Sequence, residues 1–259
     1  MRKNSPPTPA KSAGRHSIGT ERESSLHRTL KFSYTGMGRT EESVEGFVAD
    51  GVNDEGVFIE VQTGSFGPLK KKLRKFSTLG RVKIVHPIVI NKYIEVFDEK
   101  GKFLYRRKSP RHGSEWDLFN CLLYAPELTA LPGLSIELAL VDVTEKRIRD
   151  GRGSWRRRGI SIRDREMAAW HGCLSLARPA DYRRFVPFGR KETFTIRNLA
   201  EKTGIDAGLA RKCLYVLTKM GLVARVGKQG NALVYRIKGR SQIPPAVSCG
   251  PNDPSVRKK

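Results

Sequence analysis

Long apolar runs are missing from this sequence, and acid is scarce in it. No stretch approaches the roughly 20 apolar residues that cross a bilayer. The best, Leu134–Val143, is broken by Glu137 and reads as a buried strand. No membrane partner is expected, and the basic N-terminus has none of the apolar core of a secretory signal. The four cysteines, Cys121, Cys173, Cys213 and Cys249, show no C-x-x-C spacing. Three of them have apolar neighbours, where a thiol packs as a small hydrophobe. That pattern argues against a zinc site and fits a reducing cytoplasm. The five histidines supply no zinc site either, because His171 near Cys173 has no second ligand pair beside it.

What the chain has in excess is positive charge. Its 259 residues carry 49 Lys and Arg against 26 acids, a net charge of +23. Such a surplus repels itself in a compact fold unless it faces a polyanion, and nucleic-acid phosphates answer that need by releasing condensed counterions. No basic amphipathic helix with bulky apolar anchors points to a membrane surface instead.

Composition divides the chain. Residues 1–17 are rich in Pro, Ser, Lys and Arg without acid and read as a disordered basic arm, as do residues 239–259 as a tail. Between them we expect a domain over 18–145, a basic and partly helical connection over 146–190, and a second domain over 191–238. The first begins with a helix from about Thr20 to Phe32, with Thr20 as N-cap and Leu26 and Leu30 on its core face. Strands follow over Gly46–Val52 and Gly56–Gln62, then a lysine-rich helix over Pro68–Ser77 and a buried strand over Arg81–Ile90. A hairpin turns at Asp98–Gly101, and Ser114 caps a helix to about Tyr124. The connection reads as helical around Asp164–Trp170 and Ala180–Phe185.

In the last domain Thr195 caps one helix, Gly204-Ile205 make a turn, and Asp206 caps a second helix to about Met220. Two strands around Lys228–Asn231 complete it. This order resembles the winged helix-turn-helix family over about 45 residues. The resemblance implies a recognition helix over Asp206–Tyr215, with Arg211, Lys212 and Tyr215 toward the major groove and Lys228 in the wing. Lys70, Arg156 and Arg157 are further candidates for DNA contact, and Trp155 beside the arginines suits stacking on a base. A core position for Trp155 is the competing expectation.

Asp50 ends one expected strand and Glu60-Val61-Gln62 the next, so their carboxylates can meet across adjacent strands. Mg²⁺ takes such a pair together with main-chain carbonyl, water and phosphate oxygens. The chain here resembles the PD-(D/E)XK nuclease superfamily, whose core is a helix, a strand group carrying Asp and Glu-x-Lys, a helix and another strand. Gly19–Glu23 is similar to the first helix of archaeal Holliday-junction resolvases, where an early Glu assists metal binding. The resemblance implies Mg²⁺ or Mn²⁺ held by Asp50, Glu60 and Glu21, with Glu23 the second choice for the third acid. Gln62 stands where the superfamily has its catalytic Lys, and Lys70, Lys71 and Lys72 on the next helix are substitutes. Ala49 replaces a proline, and no strand is evident between Tyr34 and Glu45. His86 reads as a satisfied core residue and His27 as a surface or capping one.

The expected fold class is therefore α/β, a restriction endonuclease-like mixed-sheet core followed by a winged helix-turn-helix domain. The expected activity is metal-dependent DNA cleavage. The alternatives are a non-catalytic DNA-binding regulator built on the same fold and an RNA-associated protein. The setting is the cytoplasm, with nucleoid association in a bacterium or archaeon. A homodimer is an admissible assembly, but no residue pattern sets its interface.

Overall fold

The computed structural model describes residues 23–238. The arm at 1–17, the tail at 239–259 and the candidate Glu21 lie outside the described residues. The protein is mixed α/β, with one large mixed sheet and helices packed on both its faces.

Helix α1 (Ser25–Thr35) is capped by Ser24, whose side chain accepts the His27 amide, so it starts later than Thr20. It buries Leu26 and Leu30 against the sheet, as their spacing requires. Three strands form an antiparallel meander, β1 (Arg39–Val44), β2 (Phe47–Val52) and β3 (Phe58–Val61). Strand β1 is the one its sequence hides. Most of its residues are exposed and it carries Glu41 and Glu42, so it shows no apolar alternation.

A short 3₁₀ turn at Gly67–Leu69 with Pro68 leads into α2 (Lys70–Leu79), which buries Leu73 and Phe76. The chain then returns in β4 (Val82–Phe97), parallel to β3. Parallel pairing needs a crossover, and α2 provides it. The end of β4 pairs with the exposed hairpin strand β5 (Phe103–Lys108). After the short helix α3 (Leu118–Leu122), β6 (Leu134–Arg149) runs parallel to β4 along its whole length.

The sheet does not stop there. Strand β7 (Ile160–Leu176) pairs antiparallel with β6 from Arg149 back to Ile136. The helix expected around Asp164–Trp170 is thus the middle of a strand, and residues 146–190 are largely sheet rather than a connection. The β-branched and aromatic content of a half-buried strand is low here, and Met167, Ala168 and Ala169 favour helix by propensity. Pairing with β6 overrides that preference.

A 3₁₀ segment at Pro179–Phe185 leads to the C-terminal unit. This unit comprises β8 (Thr193–Phe194), α4 (Ile196–Thr203), α5 (Ala207–Lys219), β9 (Val223–Gln229) and β10 (Ala232–Ile237), with sheet order β8-β10-β9. Thr195 and Asp206 cap the two helices as expected, and Gly204 takes the left-handed conformation that ends α4. The unit is not separate from the body. One hydrophobic cluster runs from Ile84 and Ile136 through Phe119 and Phe185 to Phe194, Leu214 and Leu217. Phe119 and Trp116 meet Phe185 edge-on at 4.9 and 5.1 Å. No described helix is long and apolar enough to cross a membrane.

Candidate functional site

The fold brings Asp50 and Glu60 together. Both sit on neighbouring antiparallel strands, and the Asp50 Oδ2 accepts the Val61 amide at 2.7 Å. Glu60 is 5 % exposed, and its Oε2 lies 2.5 Å from Lys72 Nζ, reaching across from the first turns of α2. Leu73 and Phe76, fully buried, fix that helix so that Lys72 points at the sheet. Of the three lysines expected to compete for this place, Lys72 takes it. Lys70 instead pairs with Glu127 at 2.8 Å.

Gln62 does not join the carboxylates through its amide. Its Nε2 donates to the Ser65 carbonyl at 3.0 Å. The ammonium that a lysine at position 62 would supply comes from Lys72, one helix later.

His27 also joins the site. Its Nε2 lies 3.3 Å from Asp50 Oδ2 and 3.4 Å from Glu23 Oε1. The sequence favours a surface or capping position for His27, with an approach to the site from one turn beyond Glu23 as the alternative, and it is the approach that the structure shows. The i, i+4 spacing of Glu23 and His27 was the signal for this contact, since those positions share a helix face. Glu23 Oε1 is buried without an aligned hydrogen bond, although it is within 4.0 Å of Lys31 Nζ. We read it as held by charge rather than by a directed bond.

Two buried carboxyls this close do not ionise alike. Burial and the neighbouring Asp50 charge push Glu60 up to about 7, against the pull of Lys72. Burial also opposes Asp50 ionisation, but the His27 hydrogen bond, the Val61 amide and the His27 and Lys72 charges outweigh it. The Asp50 carboxyl is thereby held below its ordinary value. Near neutral pH the pair is thus an ionised Asp50 beside a Glu60 that is close to sharing its proton. Among the described residues no group of three or more His, Cys, Asp and Glu side chains is arranged to hold a metal ion. The donor set is these two carboxylates and nearby main-chain oxygen.

His86 is a core residue, as expected. Its Nδ1 is 2.5 Å from the Gln62 carbonyl and its Nε2 3.4 Å from Cys121 Sγ. Burial lowers the His86 pKa and raises the Cys121 thiol to about 11, so the pair is not a thiolate–imidazolium nucleophile.

Residues 24–177, more than half of the chain, match the family described as "Domain of unknown function (DUF8091)". The chain belongs to that family. The match takes in Asp50, Glu60, Lys72 and all of the large sheet, and ends before α4. An uncharacterized protein of Treponema pallidum (strain Nichols) is 28% identical over 232 residues, 88% of this chain and 91% of that one. That similarity extends well past the family match. No solved structure matches.

The remaining candidate residues fall on two exposed surfaces. On α5, Arg211, Tyr215 and Lys219 face outward together, with Lys219 Nζ 5.8 Å from the Tyr215 ring centre. Lys212 does not join them. It turns to the body and donates to Asn120 Oδ1 at 2.7 Å. Lys228 is exposed near the tip of the β9–β10 hairpin, and Arg225, Arg236 and Lys238 are exposed farther toward its base.

The second surface is the turn between β6 and β7. Trp155 is 83 % exposed, which excludes a core position, and Arg156 stacks 5.7 Å from its ring. The turn is rigid. Gly153 donates to Gly159, Arg157 and Arg158 donate to Ser154 and Trp155, and Ser161 Oγ donates to Asp150. A Cβ at Gly153 would sit 2.0 Å from the Ile160 oxygen. Trp155 is therefore held out in water by a built turn, at a hydrophobic cost that has no return inside the protein.

Proposed function

We propose that this protein is a Mg²⁺-dependent DNA endonuclease of the PD-(D/E)XK type, with a C-terminal winged helix-turn-helix that supplies duplex affinity. The observation that carries this reading is the Asp50–Glu60 pair on adjacent strands with Lys72 against Glu60. The element order α1, β1–β3, α2, β4, with β3 parallel to β4, supports the same superfamily core.

The residues fit a hard cation. Mg²⁺ is commonly held by one or two carboxylates with waters and phosphate oxygens completing its shell. Burial, and after it the Asp50 charge, raise Glu60 to about 7, and a divalent ion held by the pair would offset both costs. Bound there, Mg²⁺ or Mn²⁺ supplies Lewis-acid stabilisation of phosphate charge and a water more easily deprotonated. The chain's own groups have distinct parts. His27 and the Val61 amide hold Asp50 ionised and oriented, and Lys72 supplies a cation where negative charge gathers on a phosphodiester. Glu23 reaches the pair only through His27, whose Nε2 stands between it and Asp50.

DNA affinity comes from α5 and the wing. A helix fits the major groove, and Arg211, Tyr215 and Lys219 form the face that would enter it, flanked by Arg225 and Lys228 at phosphates. Trp155 and Arg156 add a stacking contact from the far end of the β6–β7 ribbon. The strand register puts that turn 12 residues beyond Glu137, which neighbours the Val61 level through Val85, or about 40 Å along the strand.

One observation favours the second reading, a DNA-binding regulator on an inactive fold. Lys72 already neutralises Glu60, and the described residues offer no third direct ligand. Incubation of supercoiled plasmid with the full chain in Mg²⁺, Mn²⁺ or chelator separates the two. Metal-dependent nicking abolished by Asp50→Ala and by Glu60→Ala supports the nuclease. DNA binding without nicking in any metal supports the regulator.

A further inference from the structure

The middle of β4 has no strand on one of its edges. Pairing with β3 ends at Val61–Val85, and pairing with β5 begins at Tyr93–Lys108. The intervening edge carries Pro87, which has no amide to leave unpaired, and it opens into a cavity of about 360 Å³. The cavity starts where the carboxylate site ends, at Thr63 and Ser24, and runs toward Lys92 and Arg111.

One side of it is fixed in place. The loop after β5 is pinned to the β4 edge by the Ser109 amide on Lys92, His112 Nδ1 3.1 Å from the Ile90 carbonyl, and the Gly113 amide on Val89. Only glycine fits at 113, since a Cβ there would lie 2.5 Å from the Val89 oxygen.

Its charge is organised from beneath. Glu145 is 1 % exposed and gathers Arg147 at 2.5 Å, Arg165 at 2.9 Å and Lys92 at 3.9 Å. Arg111 lines the cavity with no ion pair among the described residues. Lys92, Arg111 and Arg165 thus line the cavity, with Arg147 behind Glu145 as a fourth cation, against Glu145 and one further acid, Asp117, which is occupied by the Ser114 amide. The crowd is costly, as Lys92 shows. Burial lowers its pKa, and the Arg147, Arg165 and Arg111 charges lower it further against Glu145. An anion is the missing partner. The floor of Pro87, Ile88, Val89 and Val143 is apolar and suits a sugar or base.

We propose that this cavity binds the terminal phosphate monoester of a nucleic-acid strand, so that the carboxylate pair acts at a set distance from a phosphorylated end. This rests on the nuclease reading above. A monoester carries close to two negative charges, against one for an internal phosphodiester, and so matches the cationic surplus better. The volume is at the small end of ligand pockets, about one nucleotide. From the Val85 level to Lys92 is seven residues, about 23 Å along β4.

The test uses the full chain in chelator, where no cleavage occurs. Anisotropy of 20-nucleotide duplexes labelled away from the tested end compares a 5′-phosphate, a 3′-phosphate and plain hydroxyl ends. One of the two phosphates should tighten binding by about tenfold or more, as charge-assisted contacts do. Arg111→Ala should bring that ratio to about one, while the exposed and distant Arg39→Ala keeps it. A deoxynucleoside monophosphate should compete away the tenfold advantage if the pocket reads one nucleotide. Equal affinity for all ends, or a preference that survives Arg111→Ala, overturns the end-binding proposal and leaves the nuclease reading standing. Absence of affinity for every duplex overturns both.

Discussion

Replacing Glu60 with Gln should stabilise the protein at pH 8 and leave it nearly unchanged at pH 4, below the ordinary carboxyl value. Glu60 titrates at about 7 in the folded chain against an ordinary 4.5. Because the folded pKa is the higher one, the folded state favours the proton. Stability associated with Glu60 is full below the ordinary value and is lost as pH rises through about 7. The difference of about 2.5 units, at about 1.4 kcal/mol each, sets a loss on the order of 3 kcal/mol as an upper bound. Gln keeps the shape and removes the charge, and Lys72 retains Asp50 nearby as a counter-charge, since each acts on the other's site. Urea denaturation of wild type and Glu60→Gln at pH 4, 5, 6, 7 and 8 should give stabilities that separate between about pH 4.5 and 7 and run parallel above that, with the variant about 1–3 kcal/mol the more stable at pH 8. The other carboxylates titrate in both proteins and cancel. A variant that parallels wild type across the range, or is the less stable at pH 8, would show that Asp50 and Glu60 do not crowd each other. Mg²⁺ should narrow the gap by stabilising wild type alone, by about 2.7 kcal/mol at a hundredfold excess over its Kd.

Three further outcomes follow from the packing. Trp155→Ala should leave thermal stability unchanged, since the ring is exposed, yet weaken binding to DNA with an unpaired base by about 5- to 150-fold, the worth of one stacked base. Fluorescence anisotropy at fixed salt checks this, and unchanged affinity removes Trp155 from the interface. Gly153→Ala should cost as much affinity while keeping the tryptophan, because its Cβ collides with Ile160 and breaks the turn. Leu214→Ala, in a fully buried α5 position, should cost about 2–5 kcal/mol and lower one cooperative melt of the entire chain. Two resolved transitions in calorimetry would contradict the shared core.

The sequence exposed the parts of this fold that local chemistry dictates. The caps at Thr195 and Asp206, the crossover helix with Pro68, and the hairpin at Asp98–Gly101 all carry their signals within a few residues. What it hid depends on distant partners. Strand β1 has no apolar face to announce it, and β7 has helix-favouring residues that only pairing with β6 overrides. The core shared by the body and the C-terminal unit is hidden for the same reason, because Phe119, Phe185 and Leu214 meet only in space.

The site divides similarly. Asp50 and Glu60 are legible because each lies in a strand of one short antiparallel hairpin, which brings the two together. The choice of Lys72 over Lys70, Lys71 and Gln62 was not, since it turns on the angle at which α2 packs. Lys212 was assigned to the groove face from its neighbours in sequence, but packing of α5 on α3 turns it to Asn120.

The most direct test of the central claim is nicking of supercoiled plasmid by wild type, Asp50→Asn and Lys72→Met in Mg²⁺ and in chelator. Both substitutions keep the side-chain volume near that of the native residue, so the fold is expected to survive and DNA binding with it. Nicking by wild type only with the metal, lost in both variants while duplex affinity remains, is the predicted result. Nicking that persists in Asp50→Asn, or absence of nicking by wild type that still binds DNA, would contradict the assignment of the carboxylate pair as a nuclease centre.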